Sequence, residues 1–226
     1  MKRTKLKDRI LPDYTRGEEI FNMVSHIVGG GFGIIVLALC LIKSFLNHNA
    51  YQITSSFIYG ISMITLYTIS SIYHGLIPVT AKKVFQVIDH CSVFILIAGT
   101  YTPIALCSFR TYNSLLGWGI LIFVWIMTVL GVTLNAIDLK KYALFSNICY
   151  LAVGWCVIVV INHAIKAIGT EGFWWLLSGG IAYTVGAVLY GIAGHSVHRY
   201  MHSLFHLFVL LGSILQFICV FFFVLI

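Results

Sequence analysis

Residues 201–226 read MHSLFHLFVLLGSILQFICVFFFVLI. No Asp, Glu, Lys or Arg interrupts this run, and it exceeds the ~20 residues a helix needs to cross about 30 Å of hydrocarbon. A helix on the surface of a soluble domain would set a charged face opposite an apolar stripe. Here apolar residues occupy every face, and two histidines four residues apart open the run. The stretch therefore predicts a membrane-spanning helix with polar chemistry at its first turns.

The rest of the chain repeats the pattern. Of 226 residues, 60% are hydrophobic and 9% charged. Ordinary soluble domains carry about 25% charged residues, so a water-exposed surface could not be covered. Apolar runs broken by polar clusters predict seven spans, at about Asn22–Lys43, Ile53–Ile77, Val84–Cys107, Leu115–Ile137, Tyr142–Ile165, Phe173–Gly194 and Met201–Ile226. A β-barrel would show ten-residue alternating strands instead. The expected fold is all-α: one polytopic domain over 1–226, with 1–20 a basic segment ahead of the first span. That segment does not read as a cleaved signal peptide, because the first apolar run is too long and no small-residue cleavage site follows it. Short connections predict antiparallel neighbours.

Charge distribution predicts the orientation. Eleven of the fourteen Lys and Arg fall on the side of the N-terminus: six before the first span, then Lys82, Lys83, Lys140, Lys141 and Arg199. Lys43, Arg110 and Lys166 fall on the other. The basic side is the cytoplasmic one, which puts the N-terminus inside and the C-terminus outside. The net charge of +7 is thus explained by orientation and by anionic lipid heads, and nucleic acid is excluded as a partner. Six cysteines are scattered singly without a CxxC pair, so neither a disulfide framework nor a cysteine metal site is indicated. Glycines cluster in the first span (Gly29, Gly30, Gly31, Gly33) and the sixth (Gly179, Gly180, Gly186, Gly191, Gly194), the pattern of close helix–helix packing. Pro103 is expected to kink the third span.

Ionisable groups within a bilayer are costly and point to function. Among the seven acids only Asp89 falls inside a hydrophobic run. His74 closes the second span, with Ser70 four residues before it on the same helix face. His202 and His206 open the seventh, spaced so that both can grip one ion, as helical histidine pairs do in zinc proteases. With the predicted orientation, Ser70, His74, Asp89, His202 and His206 share one depth near the cytoplasmic face. Three imidazoles with an open fourth position make a catalytic zinc site, beside which Asp89 could act as a general base and Ser70 could orient the network. The alternative is that these groups only hydrogen-bond between helices. His198 extends the His202–His206 stripe by one turn, so spacing alone leaves the ligand choice open. His26 could support the site, His90 points about 100° away from Asp89 around the helix, His195 belongs to a loop, and His48 and His163 belong toward the other side.

At these residues the sequence resembles the hemolysin III family, the bacterial branch of the progestin and adipoQ receptor superfamily. Glu18-Glu19-Ile20 with Asn22 and His26, Ser70 to His74 as SxxxH, Asp89-His90 through Ala98-Gly99-Thr100-Tyr101-Thr102-Pro103, and His202 to His206 as HxxxH carry the resemblance over nearly the whole chain. It implies seven helices in a bacterial plasma membrane and zinc held by His74, His202 and His206, which selects His202 and His206 over His198. It also implies that Asp89 contacts a metal-bound water, with Ser70 nearby. The related adiponectin receptors and alkaline ceramidases are regarded as zinc-dependent lipid amidases.

The expected function is therefore a zinc-dependent hydrolase of a membrane lipid amide or ester, with catalytic Asp89 and Ser70. A non-enzymatic membrane regulator or sensor with structural zinc is the alternative. A cytolysin, as the family name suggests, finds less support, because a pore needs a polar lining and the ionisable groups cluster at one end.

Overall fold

A computed structural model of the chain describes residues 3–193 and 199–226. His195, His198 and the Gly194 end of the sixth expected span lie outside them. All regular structure among the described residues is helical. The long helices are α1 (Arg16–Leu46), α2 (Ala50–Gly75), α3 (Val79–Pro103), α4 (Ser114–Gly154), α5 (Ile161–Ala193) and α6 (Met201–Cys219). Among the described residues, five stretches are long and apolar enough to cross a membrane: Arg16–Leu46, Ala50–Gly75, Val79–Tyr112, Ser114–Ile192 and Met201–Val224.

The helices begin and end where local chemistry says they should. α1 starts six residues before the first apolar run, because Thr15 caps it. The Thr15 Oγ1 accepts from the Glu18 N–H at 3.3 Å, and Glu18 reaches back to the Thr15 N–H at 2.8 Å, a complete capping box. Asn49 and Asn113 cap α2 and α4 in the same manner. The expected kink at Pro103 takes another form: α3 runs without a break into a π-helical turn over Ile104–Phe109. A proline supplies no N–H to the preceding turn, and the next N–H, that of Ile104, goes to the Tyr101 carbonyl.

The 79-residue stretch Ser114–Ile192 would extend roughly 120 Å if straight, but a tight turn follows Trp155 (φ −95°, ψ 4°) over Cys156–Val160, and the backbone breaks more sharply at two places. At Asp138 (φ −159°, ψ 95°) the side chain accepts from the Lys141 N–H at 3.2 Å and so caps the helix that follows. At Gly169 φ is +74°, a conformation that glycine adopts without the Cβ penalty. The most extensive contacts join α1 to α2, α2 to α3, α3 to α4 and α5 to α6, and α6 returns to pack against α1.

Buried polar residues sit beside an apolar core, and the outer faces of the helices are apolar. In α1 the buried stripe runs Glu18, Asn22, His26, Gly29, Gly33, Val36, Cys40, Ser44, while Ile20, Val24, Ile27 and Ile34 are exposed. This inverts a soluble helix and suits hydrocarbon. Glycines admit the close approaches: a Cβ on Gly29 would enter the Tyr67 ring, one on Gly131 the Phe94 ring, and one on Gly31 meets nothing within 4 Å. The Gly29–Gly33 face is thus used between α1 and α2.

Gly29→Ala should therefore lower stability by about 1–3 kcal/mol, the range for overpacking a filled interior. Gly31→Ala, at an exposed position, should leave it unchanged or slightly higher. Thermal unfolding of the two variants in one detergent checks this, and equal midpoints would contradict the packing.

Candidate metal centre

Two helix ends deliver three imidazoles to one point. His74 lies in the last turn of α2, and His202 and His206 lie in the first turns of α6. All three are buried, at 3%, 7% and 1% exposure. One ring nitrogen from each lies within 4.8 Å of the other two, and the His202 and His206 Nε2 atoms are 3.0 Å apart. Tetrahedral coordination with bonds of about 2.0–2.1 Å sets ligand nitrogens roughly 3.3 Å apart. Among the described residues the Nε2 of His74 meets no protein partner, and an unpaired buried polar atom costs about 1–3 kcal/mol. An ion among the three rings would remove that cost. Donor type, spacing and the orphaned nitrogen all fit, so this group could hold a metal ion.

The surroundings hold the rings from several sides. The Nδ1 of His74 lies 2.6 Å from Glu19 Oε2, and Lys82 Nζ lies 2.7 Å from Glu19 Oε1. Lys82 also donates to the carbonyls of His74 and Leu76, where the carbonyls at the end of α2 carry partial negative charge. Glu18 acts on the other helix. Its Oε1 accepts from the Tyr200 N–H at 2.8 Å, and Tyr200 stands in the left-handed conformation just before α6. Ser203 donates to Asn22 Oδ1 at 2.7 Å, a second tie between α1 and α6.

Tyr14 covers the cluster ahead of α1. Its ring stacks on His202 with centroids 4.9 Å apart and stands 5.9 Å from His74. Burial pushes the Tyr14 phenol well above its ordinary range, so it is a neutral lid near pH 7. The segment before it is pinned across the same end of the bundle. Thr4 N–H donates to Asp138 at 2.7 Å, Lys83 Nζ to the Lys7 carbonyl at 2.8 Å, and Arg199 to the Asp13 carbonyl at 3.0 Å.

On the other side lies a cavity of about 220 Å³, whose lining includes His26, Ser70, Asp89, His202 and His206 and then turns apolar along the bundle. The Ser70 side chain lies beside the Asp89 carboxyl group. Asp89 falls outside the ligand cluster, and Ser70 and Asp89 share the cavity with two of its three members.

The remaining histidines separate clearly. His26 stacks on His206 with centroids 3.7 Å apart and is not a member of the ligand cluster. His90 is turned away: Nδ1 donates to the Gln86 carbonyl at 2.7 Å, which leaves Nε2 to accept from the Tyr190 hydroxyl at 2.9 Å. His48 and His163 are exposed near the far ends of the helices. Sequence reasoning missed Glu18 and Glu19 as contributors, and Tyr14 and Tyr190 altogether. For Glu18 there was a signal, the Thr15-to-Glu18 capping spacing. For Tyr14 there was none, since it lies in a segment with no period.

His74→Ala or His202→Ala should abolish stoichiometric metal binding, whereas His163→Ala should retain it. Elemental analysis of the three purified variants beside the unaltered chain checks this, and equal metal content in all would remove the assignment.

Comparison with known proteins gives the family. The chain is 34% identical over 208 residues to "Hemolysin-3" of Bacillus cereus, covering 92% of each. It is 33% identical over 210 residues to "Hemolysin-3 homolog" of Bacillus subtilis (strain 168), covering 93% of this chain and 96% of that one. Residues 14–217 match the Haemolysin-III related family, so the matched region begins at Tyr14 and contains all three candidate ligands. This multi-pass membrane protein with bacterial homologues belongs to the Haemolysin-III related family.

Proposed function

We propose that this protein is a zinc-dependent hydrolase acting on an amide or ester of a membrane lipid. The observation that carries the reading is a buried three-imidazole cluster joined, through one cavity, to a carboxyl group and an apolar channel. Imidazole ligands in a tetrahedral shell suit zinc. When bound there, zinc would supply Lewis-acid polarisation of the scissile carbonyl.

The chain's own residues supply the rest. Asp89 takes a proton from the attacking water at a carboxylate oxygen and passes it to the leaving amine or alkoxide, the role of a general base and then a general acid. Ser70, beside it, holds the carboxylate in position. The apolar walls, among them Leu66, Val93, Ile97 and Val209, take the acyl chain. Tyr14 and the pinned segment before it keep bulk water from the cluster, so the lipid enters from the membrane.

The same reading includes seven crossings of the bacterial plasma membrane with the N-terminus inside. The breaks at Asp138 and Gly169 divide the long stretch into three lengths, which supports that number. Contacts at the two ends support the antiparallel order. Thr4 meets Asp138, and Glu19 meets His74 and Lys82, at one end. Lys43 meets Phe221 and the Arg110 guanidinium covers the Tyr51 ring at the other. The excess of Lys and Arg at the first end supports its being cytoplasmic.

A second reading, a membrane regulator with structural zinc, is favoured by the Tyr14 lid, because a site covered on its aqueous side exchanges slowly. Direct lysis, which the names of the relatives suggest, lacks a polar path: among the described residues the buried ionisable groups gather at one end.

With the protein reconstituted in lipid, about one zinc per chain is expected, together with release of fatty acid from a lipid amide or ester. Asp89→Ala should keep the zinc and lose about 10²–10⁴-fold in hydrolysis, the usual contribution of a positioned acid–base group. Full zinc without turnover in the unaltered chain would leave the regulator as the better reading.

A further inference from the structure

Adjacent acids at the start of α1 face different helices. Glu18 holds the backbone just before α6, and Glu19 contacts the His74 side chain on α2. Successive residues on a helix diverge by about 100°, so a Glu-Glu pair can brace both helices that carry the candidate ligands. Of the two contacts, only that of Glu19 reaches a ligand ring.

The chemistry of this contact is one-directional. An ionised carboxylate only accepts, and Lys82 on the second oxygen favours the ionised form. The 2.6 Å contact therefore places the proton of neutral His74 on Nδ1. The lone pair is left on Nε2, the nitrogen with no protein partner among the described residues. Among the described residues His202 lacks such help, since its Nδ1 meets no protein group, and beside His206 stands only the neutral backbone of Asn22. Among the described residues, His74 is the one ring of the three that meets a carboxylate, and that contact sets its tautomer.

We propose that Glu19 is the positioning residue of the metal centre: it holds His74 as the ligand-competent tautomer and so presets the affinity for a divalent cation. Lys82 serves the carboxylate rather than the metal. The proposal rests on the metal-binding reading of the three histidines, and its test separates the two. Partners of this kind typically contribute 10–100-fold in metal affinity.

The sign of the Lys82 effect distinguishes positioning from simple bracing. Glu19→Gln keeps the size of the side chain but removes the charge that commits Nδ1 to donating. Lys82→Met breaks the ion pair yet leaves the carboxylate on His74 and removes a positive charge near the ion. If the ion pair merely braced α1 against α2, both variants would weaken metal binding alike. If Glu19 positions His74, Glu19→Gln weakens it and Lys82→Met leaves it equal or stronger.

Zinc affinity of the full-length protein in detergent, measured by competition with a chromophoric chelator, tests this. The visible spectrum of the cobalt form should be recorded in parallel. We expect Glu19→Gln to bind zinc about 10–100-fold more weakly, and Lys82→Met to bind at least as tightly as the unaltered chain. Glu19→Asp, which restores the charge one methylene short, should recover part of the loss and serves if the Gln variant does not fold. Equal affinity in Glu19→Gln and the unaltered chain, or parallel losses in Glu19→Gln and Lys82→Met, would overturn the role of Glu19. No zinc in the unaltered chain would overturn the metal reading itself and this inference with it.

Discussion

Three imidazoles are buried at the end of a helical bundle whose outer surface is apolar, and the architecture around them follows from keeping their nitrogens partnered or aimed. Without water, each unsatisfied polar atom carries its full desolvation penalty. The chain meets that constraint at His74 with a carboxylate, which is itself met by Lys82. The carboxylate stands on α1, the ring on α2 and the ammonium on α3. One short network thus ties three helices at the depth where the site forms.

The same logic extends around the site. Glu18 is buried and charged, so it too needs partners, and it finds them in its own cap residue and in the backbone ahead of α6. The Ser203–Asn22 bond repeats the tie one turn deeper. These contacts bring the first helix against the last and close the bundle. Small residues complete the closure from the apolar side, where the Tyr67 ring lies against Gly29 and its hydroxyl donates to Ser213 at 2.8 Å. Packing and polar pairing therefore converge on the same helices.

Asymmetry between the two faces of the centre shapes its chemistry. The side toward the N-terminal segment is covered by an aromatic ring and crossed by hydrogen bonds from Thr4, Lys83 and Arg199. The side toward the bundle interior opens into a mostly apolar cavity. Such a centre is closed toward water and opens toward the apolar part of the bundle. That division suits the cleavage of a lipid at the boundary of the two phases.

Composition and the charge-free run at 201–226 determined an all-helical membrane protein, because only helices satisfy their own backbone in hydrocarbon without closing a barrel. The spacing of four between His202 and His206 determined that these two could share an ion, since helix geometry alone puts them on one face. His74 joined them by depth, an argument that needs only the order and direction of the helices. The tertiary structure alone decided that Glu19, rather than any neighbour in sequence, holds His74 across 55 positions of chain. It likewise put Tyr14 over the cluster, kept Asp89 out of the ligand set, and turned His90 toward Tyr190. Those outcomes depend on rotation of one helix against another and on the path of an aperiodic segment. Periodicity records which face of a helix is buried, but not which partner that face will meet.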